Sequence, residues 1–133
     1  MKRSAELPFD AERAYRAILD PILLTVWFDV PYASTGSTPL HLFEVEDPKE
    51  EAPWKFRGWI IAAEENRRFV IEMDEKESIS PPTLELRLSE GSHGVVLEAE
   101  WESRRLDGLA ERFLDPAGHR RLAWVLADYL AEI

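Results

Sequence analysis

Three histidines are the side chains of this sequence best suited to proton transfer near neutral pH or to metal ligation: His41, His93 and His119. They stand far apart, and none has the His-x-x-x-His or His-x-Glu neighbour that marks converging zinc or iron ligands. His93 falls between Ser92 and Gly94, in what reads as an exposed hairpin loop. The chain has no cysteine, which removes thiol catalysis, thiolate metal sites and disulfides together. Carboxylates are abundant, and Glu98, Glu100 and Glu102 alternate with Val95, Leu97, Ala99 and Trp101. Turning those carboxylates inward would expose the apolar set at about 1.5 to 3 kcal/mol per large side chain. The acidic set is therefore a solvated face, and no paired-carboxylate site follows from it. Glycine-rich phosphate loops, a P-loop lysine and a Gly-x-Ser-x-Gly elbow are absent from the sequence. An enzymatic role would need a polar dyad in a pocket, and Tyr15, Tyr129, Glu72 and His41 are the groups to check for one. No such pair stands out, so the chain reads as a binding protein rather than an enzyme, with no cofactor and no metal.

The elements that must position any site come next. Residues Arg3 to Phe9 read as a short extended segment that Pro8 confines to a strand end or edge. Asp10 has the character of an N-cap before a helix over Ala11 to Leu19, with Ala14, Ala17 and Ile18 on one face. Asp20-Pro21 repeats that start signal, so a second short helix runs from Pro21 to about Phe28. It is nearly apolar throughout, and must be buried or roof something. Pro31 to Pro39 is a loop by composition.

Strands follow over Leu40–Glu46, Trp54–Ala63, Arg68–Met73, Thr83–Leu88 and Val95–Glu102, most with one apolar and one polar face. Such alternation belongs to antiparallel sheets. Gly58 is expected to mark a bulge or bend. In Trp54–Ala63 both faces are apolar, because Trp59 and Ile61 lie opposite Phe56 and Ile60. Trp124 likewise lies off its helix's main stripe, so a covering element or a second copy of the chain is expected over these surfaces. A helix over about Leu109 to Leu114 breaks at Asp115-Pro116. A longer one from about Ala117 carries Leu122, Val125, Leu126, Tyr129, Leu130 and Ile133 in one stripe.

The length of 133 residues suits one domain spanning 1–133, with a core that needs no staples. The net charge of −10, from 26 acidic and 16 basic side chains, repels a phosphate backbone; Arg67-Arg68, Arg104-Arg105 and Arg120-Arg121 do not grow into a basic stripe. Nucleic acid and membranes are therefore not expected partners. The N-terminal residues carry no apolar signal core, and the apolar run ending at Phe28 is too short to cross a bilayer. The expectation is a cytoplasmic protein.

This order of elements resembles the helix-grip fold of the START-like or SRPBCC superfamily. The branch named for the activator of the ninety-kilodalton heat-shock protein's ATPase is matched by local text: Tyr15, Ala17-Ile18-Leu19-Asp20-Pro21 and Trp27-Phe28, then Gly58-Trp59-Ile60 and Arg68-Phe69-Val70-Ile71, then Gly118, Leu126, Tyr129 and Leu130. His119 stands where that pattern has tryptophan, Ala123 where it has leucine, and the paired glycines before the second strand are missing between Asp29 and Leu42. The resemblance implies an α+β domain, with a curved antiparallel sheet of about six strands around a long C-terminal helix and two short helices after the first strand. It also implies a space between sheet and C-terminal helix that takes an apolar or amphipathic small molecule. Taken with the alternation of the strands, it gives candidate walls Trp27, Phe56, Ile60, Phe69, Ile71, Leu86, Leu97, Trp101, Leu122, Leu126 and Tyr129. The same side chains would equally serve to fill a core. Two other readings come with the resemblance, a cyclase- or hydrolase-like enzyme and a protein that modulates a chaperone ATPase. No segment of the sequence looks like a dedicated chaperone-docking element.

Overall fold

A computed structural model of the chain describes residues 1–35, 41–49, 51–75 and 79–131; the side chains of His41 and of residues 128–131 lie outside that description. β1 (Lys2–Leu7) leads into α1 (Ala11–Leu19) and α2 (Pro21–Phe28). Both helices start where an aspartate supplies the missing acceptor. Asp10 accepts from the Arg13 amide at 2.9 Å, and Asp20 from the amides of Ile22 and Leu23 at 2.8 and 3.3 Å. Pro21 opens α2 at a position where no amide hydrogen is needed.

Six strands follow: β2 (Tyr32–Thr35), β3 (His41–Asp47), β4 (Trp54–Glu64), β5 (Arg68–Met73), β6 (Thr83–Glu90) and β7 (Val95–Trp101). With β1 they make one antiparallel sheet in the order β1-β7-β6-β5-β4-β3-β2. Because β1 and β2 are the two edges, α1 and α2 carry the chain across the sheet's apolar side from one edge to the other. After β7 come a single 3-10 turn, α3 (Asp107–Leu114) and the long α4 (Pro116–Ala131). The expected architecture is thus present, with seven strands in place of about six.

Two local expectations are corrected. Tyr32–Thr35, assigned to a loop on composition, is a strand paired in register with Phe43–Glu46, and the Thr35 hydroxyl donates to the Leu19 carbonyl at 2.7 Å. Pairing, not side-chain propensity, decides such a short edge strand. The bulge in β4 falls at Ile61, between the pairs Ile60–Ile71 and Ala62–Val70, and not at Gly58. Gly58 serves a different need: a Cβ there would run into the Glu72 carbonyl oxygen of β5 and lie 3.0 Å from the Phe56 ring. Gly58→Val should therefore force β4 and β5 apart and lower unfolding stability by about 1–3 kcal/mol, the usual range for overpacking. Urea denaturation of the purified variant measures this, and a midpoint equal to wild type would contradict the close approach.

The faces of the sheet divide as the alternation requires. Leu84, Leu86, Leu88, Val95, Leu97, Ala99 and Trp101 point inward and are buried. The outer face is laced by cross-strand ion pairs. Arg68 reaches Glu85 at 2.8 Å and Glu64 at 3.2 Å, while Arg87 reaches Glu85, Glu98 and Glu100 at 2.9 to 3.2 Å. The hydrogen bond from Arg68 holds the Glu85 carboxyl below the ordinary carboxylate range. Trp59 is half-buried on this outer face and Ile61 is partly exposed there, while Trp124 on α4 is 75% exposed.

The helices close the inner face through aromatic rings. Tyr15 of α1 stacks on Phe69 of β5 at 4.7 Å. Phe113 of α3 touches Phe43 of β3 at 6.1 Å, Phe28 of α2 at 4.8 Å and Trp27 at 5.4 Å. α4 then runs back along α2. Gly118 lies so close to Trp27 that a Cβ would meet its carbonyl oxygen, and Arg121 donates to the carbonyls of Val26 and Trp27, both at 3.0 Å. That guanidinium caps the C-terminal end of α2, where carbonyls lack helical partners.

Candidate functional site

The candidate site lies at the far end of the α2–α4 seam. Asp20 ends α1 and caps α2, which sets Ile22 and Leu23 on the first turn of α2. The apolar stripe of α4 brings Val125 and Leu126 opposite them. Between these residues is an open groove of about 420 Å³, lined by Arg13, Arg16, Asp20, Ile22, Leu23, Val125 and Leu126. Its volume is within the range of small-molecule sites, and its walls are mainly aliphatic. Ile22 is 74% exposed, an unusual position for a large aliphatic side chain on a helix that otherwise packs into the core.

The polar groups at the rim are few and their partners are known. Arg13 bonds Asp10 at 2.7 Å and Arg16 bonds Glu12 at 2.9 Å, both in exposed pairs along α1. Asp20 accepts from two α2 amides. Among the described residues nothing in this arrangement offers a nucleophile beside a base, and their chemistry is that of an apolar slot with guanidinium groups at one side.

Of the eleven side chains expected to wall a cavity, Trp27, Phe56, Ile60, Phe69, Ile71, Leu86, Leu97, Trp101, Leu122 and Leu126 are all buried in one continuous core. Leu126 also lines the groove, and Trp101 borders a separate polar depression of about 520 Å³, while donating its indole hydrogen to Asp107 at 2.6 Å. The side chain of Tyr129 lies outside the described residues. Sequence reasoning missed Arg13, Arg16, Ile22 and Leu23. The one signal for them was the all-round apolar character of α2, which implied a helix roofing something without saying what.

The polar groups singled out for chemistry are dispersed. Tyr15 stacks on the inner face at Phe69, whereas Glu72 alternates onto the outer face of the same strand. The side chain of His41 is outside the described residues. His93 is exposed in the β6–β7 loop, where its amide donates to Glu6 at 2.7 Å. His119 is buried, with Nε2 2.6 Å from the Phe113 carbonyl and its ring edge-on to Trp27. Among the described residues no group of three or more histidines and carboxylates is placed to hold a metal ion. The Nε1 of Trp27 is the buried side-chain nitrogen that lacks a hydrogen-bond partner among the described residues.

A second depression, of about 540 Å³, opens where α2 ends and α4 begins, and it is lined by charges of both signs. Among the described residues, Asp47 is the carboxylate held there by ion pairs, with Lys49 at 3.7 Å and with Arg112. Buried Asp47 lies 3.6 Å from Arg112, and Arg112 in turn covers the Trp54 ring at 3.7 Å and donates to the Gly108 carbonyl at 3.2 Å. This is a structural clamp between β3, β4 and α3.

Residues 8–130 match the family model described as activator of Hsp90 ATPase homolog 1-like protein. The chain belongs to that family. Solved structures similar to this AHSA1-like chain include a protein from Nitrosomonas europaea, 17% identical, with 97% of this chain and 94% of that one covered and a TM-score of 0.67. A protein of unknown function from Staphylococcus aureus is 12% identical, covers 96% and 94%, and has a TM-score of 0.69. The AHSA1-like protein from Aeromonas hydrophila is 13% identical, covers 94% of each chain, and has a TM-score of 0.67. At these identities the likeness concerns the fold, which is the helix-grip arrangement. No curated protein matches the sequence. No helix among the described residues of this AHSA1-like chain is long and apolar enough to cross a membrane.

Proposed function

We propose that this AHSA1-like chain is a small-molecule-binding protein whose apolar or amphipathic ligand lies in the groove between the start of α2 and the C-terminal half of α4. The observation that carries this reading is the mainly aliphatic groove of about 420 Å³, bordered by an Ile22 that remains 74% exposed. A folded chain gains by covering such surface, at roughly 25 cal/mol per Å². A ligand can supply that cover where the protein's own side chains do not. Leu126 belongs both to the groove's lining and to the continuous buried core. The reading also agrees with membership of a fold family of ligand-binding domains.

The test is titration with N-phenyl-1-naphthylamine, a neutral apolar fluorophore. Saturable enhancement is expected with the wild-type chain. Val125→Asp places a carboxylate in the aliphatic wall and should weaken binding at least about tenfold, or ~1.4 kcal/mol. Val125 is only half-buried, so the variant should fold, which far-UV circular dichroism checks. A non-saturating response, or equal binding by Val125→Asp, would remove the groove as the site.

A further inference from the structure

We infer that the ligand of this groove carries an anionic head, a carboxylate or a phosphate, seated on the guanidinium groups of Arg13 and Arg16, with its apolar part along Ile22, Leu23, Val125 and Leu126. This rests on the groove being the binding site, and specifies the chemistry that the site selects.

The argument is an account of hydrogen-bonding capacity at the rim. Arg13 and Arg16 stand one helical turn apart on α1, so both project toward the same side. Both line the groove, and among the described residues Asp20 is the one carboxylate that lines it with them. One oxygen of Asp20 accepts the Ile22 and Leu23 amides, which commits that side chain to its capping geometry. Among the described residues, the hydrogen bonds from each guanidinium to a carboxylate use one nitrogen, Arg13 to Asp10 and Arg16 to Glu12, and leave other N–H donors over. The polar capacity that the rim can offer a ligand is thus predominantly donor and positively charged. A carboxylate or phosphate matches it, with the bidentate geometry that arginine favours. A cationic head would find two like charges there.

The existing ion pairs do not oppose this. Their carboxylates are more than half exposed, and such pairs within a helix contribute little to stability. An incoming anion bonded beside an aliphatic wall is less screened than Asp10 and Glu12 are in open solvent. The net charge of −10 means that long-range attraction does not bring the anion in. Selection must come from contact at the two arginines and from burial of the tail.

The experiment compares four ligands with one tail, dodecanoate, dodecyl phosphate, 1-dodecanol and dodecyltrimethylammonium, the ionic ones below their micellar concentrations and the alcohol below its solubility limit, each titrated calorimetrically with the full chain. The anions are expected to bind at least about tenfold more tightly than the alcohol, and the ammonium more weakly than either. The double variant Arg13→Gln, Arg16→Gln should bring the anions to about the alcohol's affinity, while the alcohol, which loses at most a neutral-acceptor hydrogen bond, should weaken by less than about threefold. Preference for dodecyl phosphate over dodecanoate, or the reverse, assigns the head within the anionic class. Equal affinity of acid and alcohol, or anion binding that survives the double variant, overturns the anionic assignment and leaves the groove reading standing. Binding by none of the four overturns both. A loss of alcohol binding in the double variant would show a structural role for the arginines and likewise overturn the assignment.

Discussion

Phe113→Ala is expected to lower the unfolding free energy by about 3–5 kcal/mol, the range for deleting a fully buried aromatic ring. Phe113 is fully buried, and its ring, carried on α3, meets three others: Phe43 from the sheet, and Phe28 and Trp27 from α2. Two of those contacts are near-perpendicular, at 83° and 89°, the edge-to-face geometry that aromatic pairs prefer. Truncation leaves a void walled by rings on two elements, Phe43 on β3 and Phe28 and Trp27 on α2, whose separate anchoring limits collapse into it. The same residue's backbone carbonyl is bound to His119, and alanine retains that carbonyl, so the cost measured belongs to the ring. Chemical denaturation followed by tryptophan fluorescence measures the loss. A cost below about 1 kcal/mol would mean that the helical layer can repack without this residue. Phe113→Leu, which keeps much of the volume, should recover part of the difference.

The second large effect concerns His119. Burial pushes its pKa below the ordinary value of 6.5, and the hydrogen bond to the Phe113 carbonyl offsets this only in part. The surrounding charges act in opposite senses: Asp115 favours the imidazolium and Arg120 disfavours it. Trp27, on the α2 side, contributes an uncharged ring. Above pH 6.5 the side chain is neutral in both folded and unfolded chains, and its full contribution is present. As the pH falls below 6.5 the unfolded chain takes up the proton first, so stability declines until the folded pKa is passed.

The expected result is therefore an acid-side loss that begins between neutrality and about pH 5, before the exposed carboxylates titrate. His119→Ala should cost about 2–4 kcal/mol at neutral pH, through a cavity and an unpaired carbonyl. His119→Phe retains the ring volume and removes the titration. Urea midpoints of wild type and His119→Phe across that interval supply the check. If both fall with the same slope between about pH 7 and pH 5, the imidazole is not the titrating group. The carboxylates give a separate signal at lower pH. Glu85, held below the ordinary carboxylate range by Arg68, supports the folded state above the unfolded carboxyl pKa and loses that contribution as the pH falls through its folded value.

The architecture was legible because it depends on local patterns. Asp10 and Asp20-Pro21 mark the starts of α1 and α2 through unsatisfied amides that only a preceding acceptor can meet. The alternation from Leu84 to Leu88 and from Val95 to Trp101 determines which face is buried, because a one-residue slip would reverse it. The order of those elements, with an amphipathic helix last, then leaves few ways to cover the sheet. The motifs around Asp20-Pro21, Gly58 and Gly118 carry the family for a related reason. At Gly58 and Gly118 neighbouring backbone leaves no room for a Cβ.

The candidate site was much less legible. Inward position and ligand contact give the same pattern in a sequence, and the candidate walls described by the structure lie in the core. What the sequence by itself determined is the helices and the strands other than β2, with their buried faces. Only the tertiary structure decided that Ile22 and Leu23 meet Val125 and Leu126, residues about a hundred positions apart, beside Arg13 and Arg16. It also moved the β4 bulge to Ile61 and made Tyr32–Thr35 a strand. Local periodicity records which way a side chain faces. Where two helices stop touching is set by long-range packing, and no short window of sequence contains it.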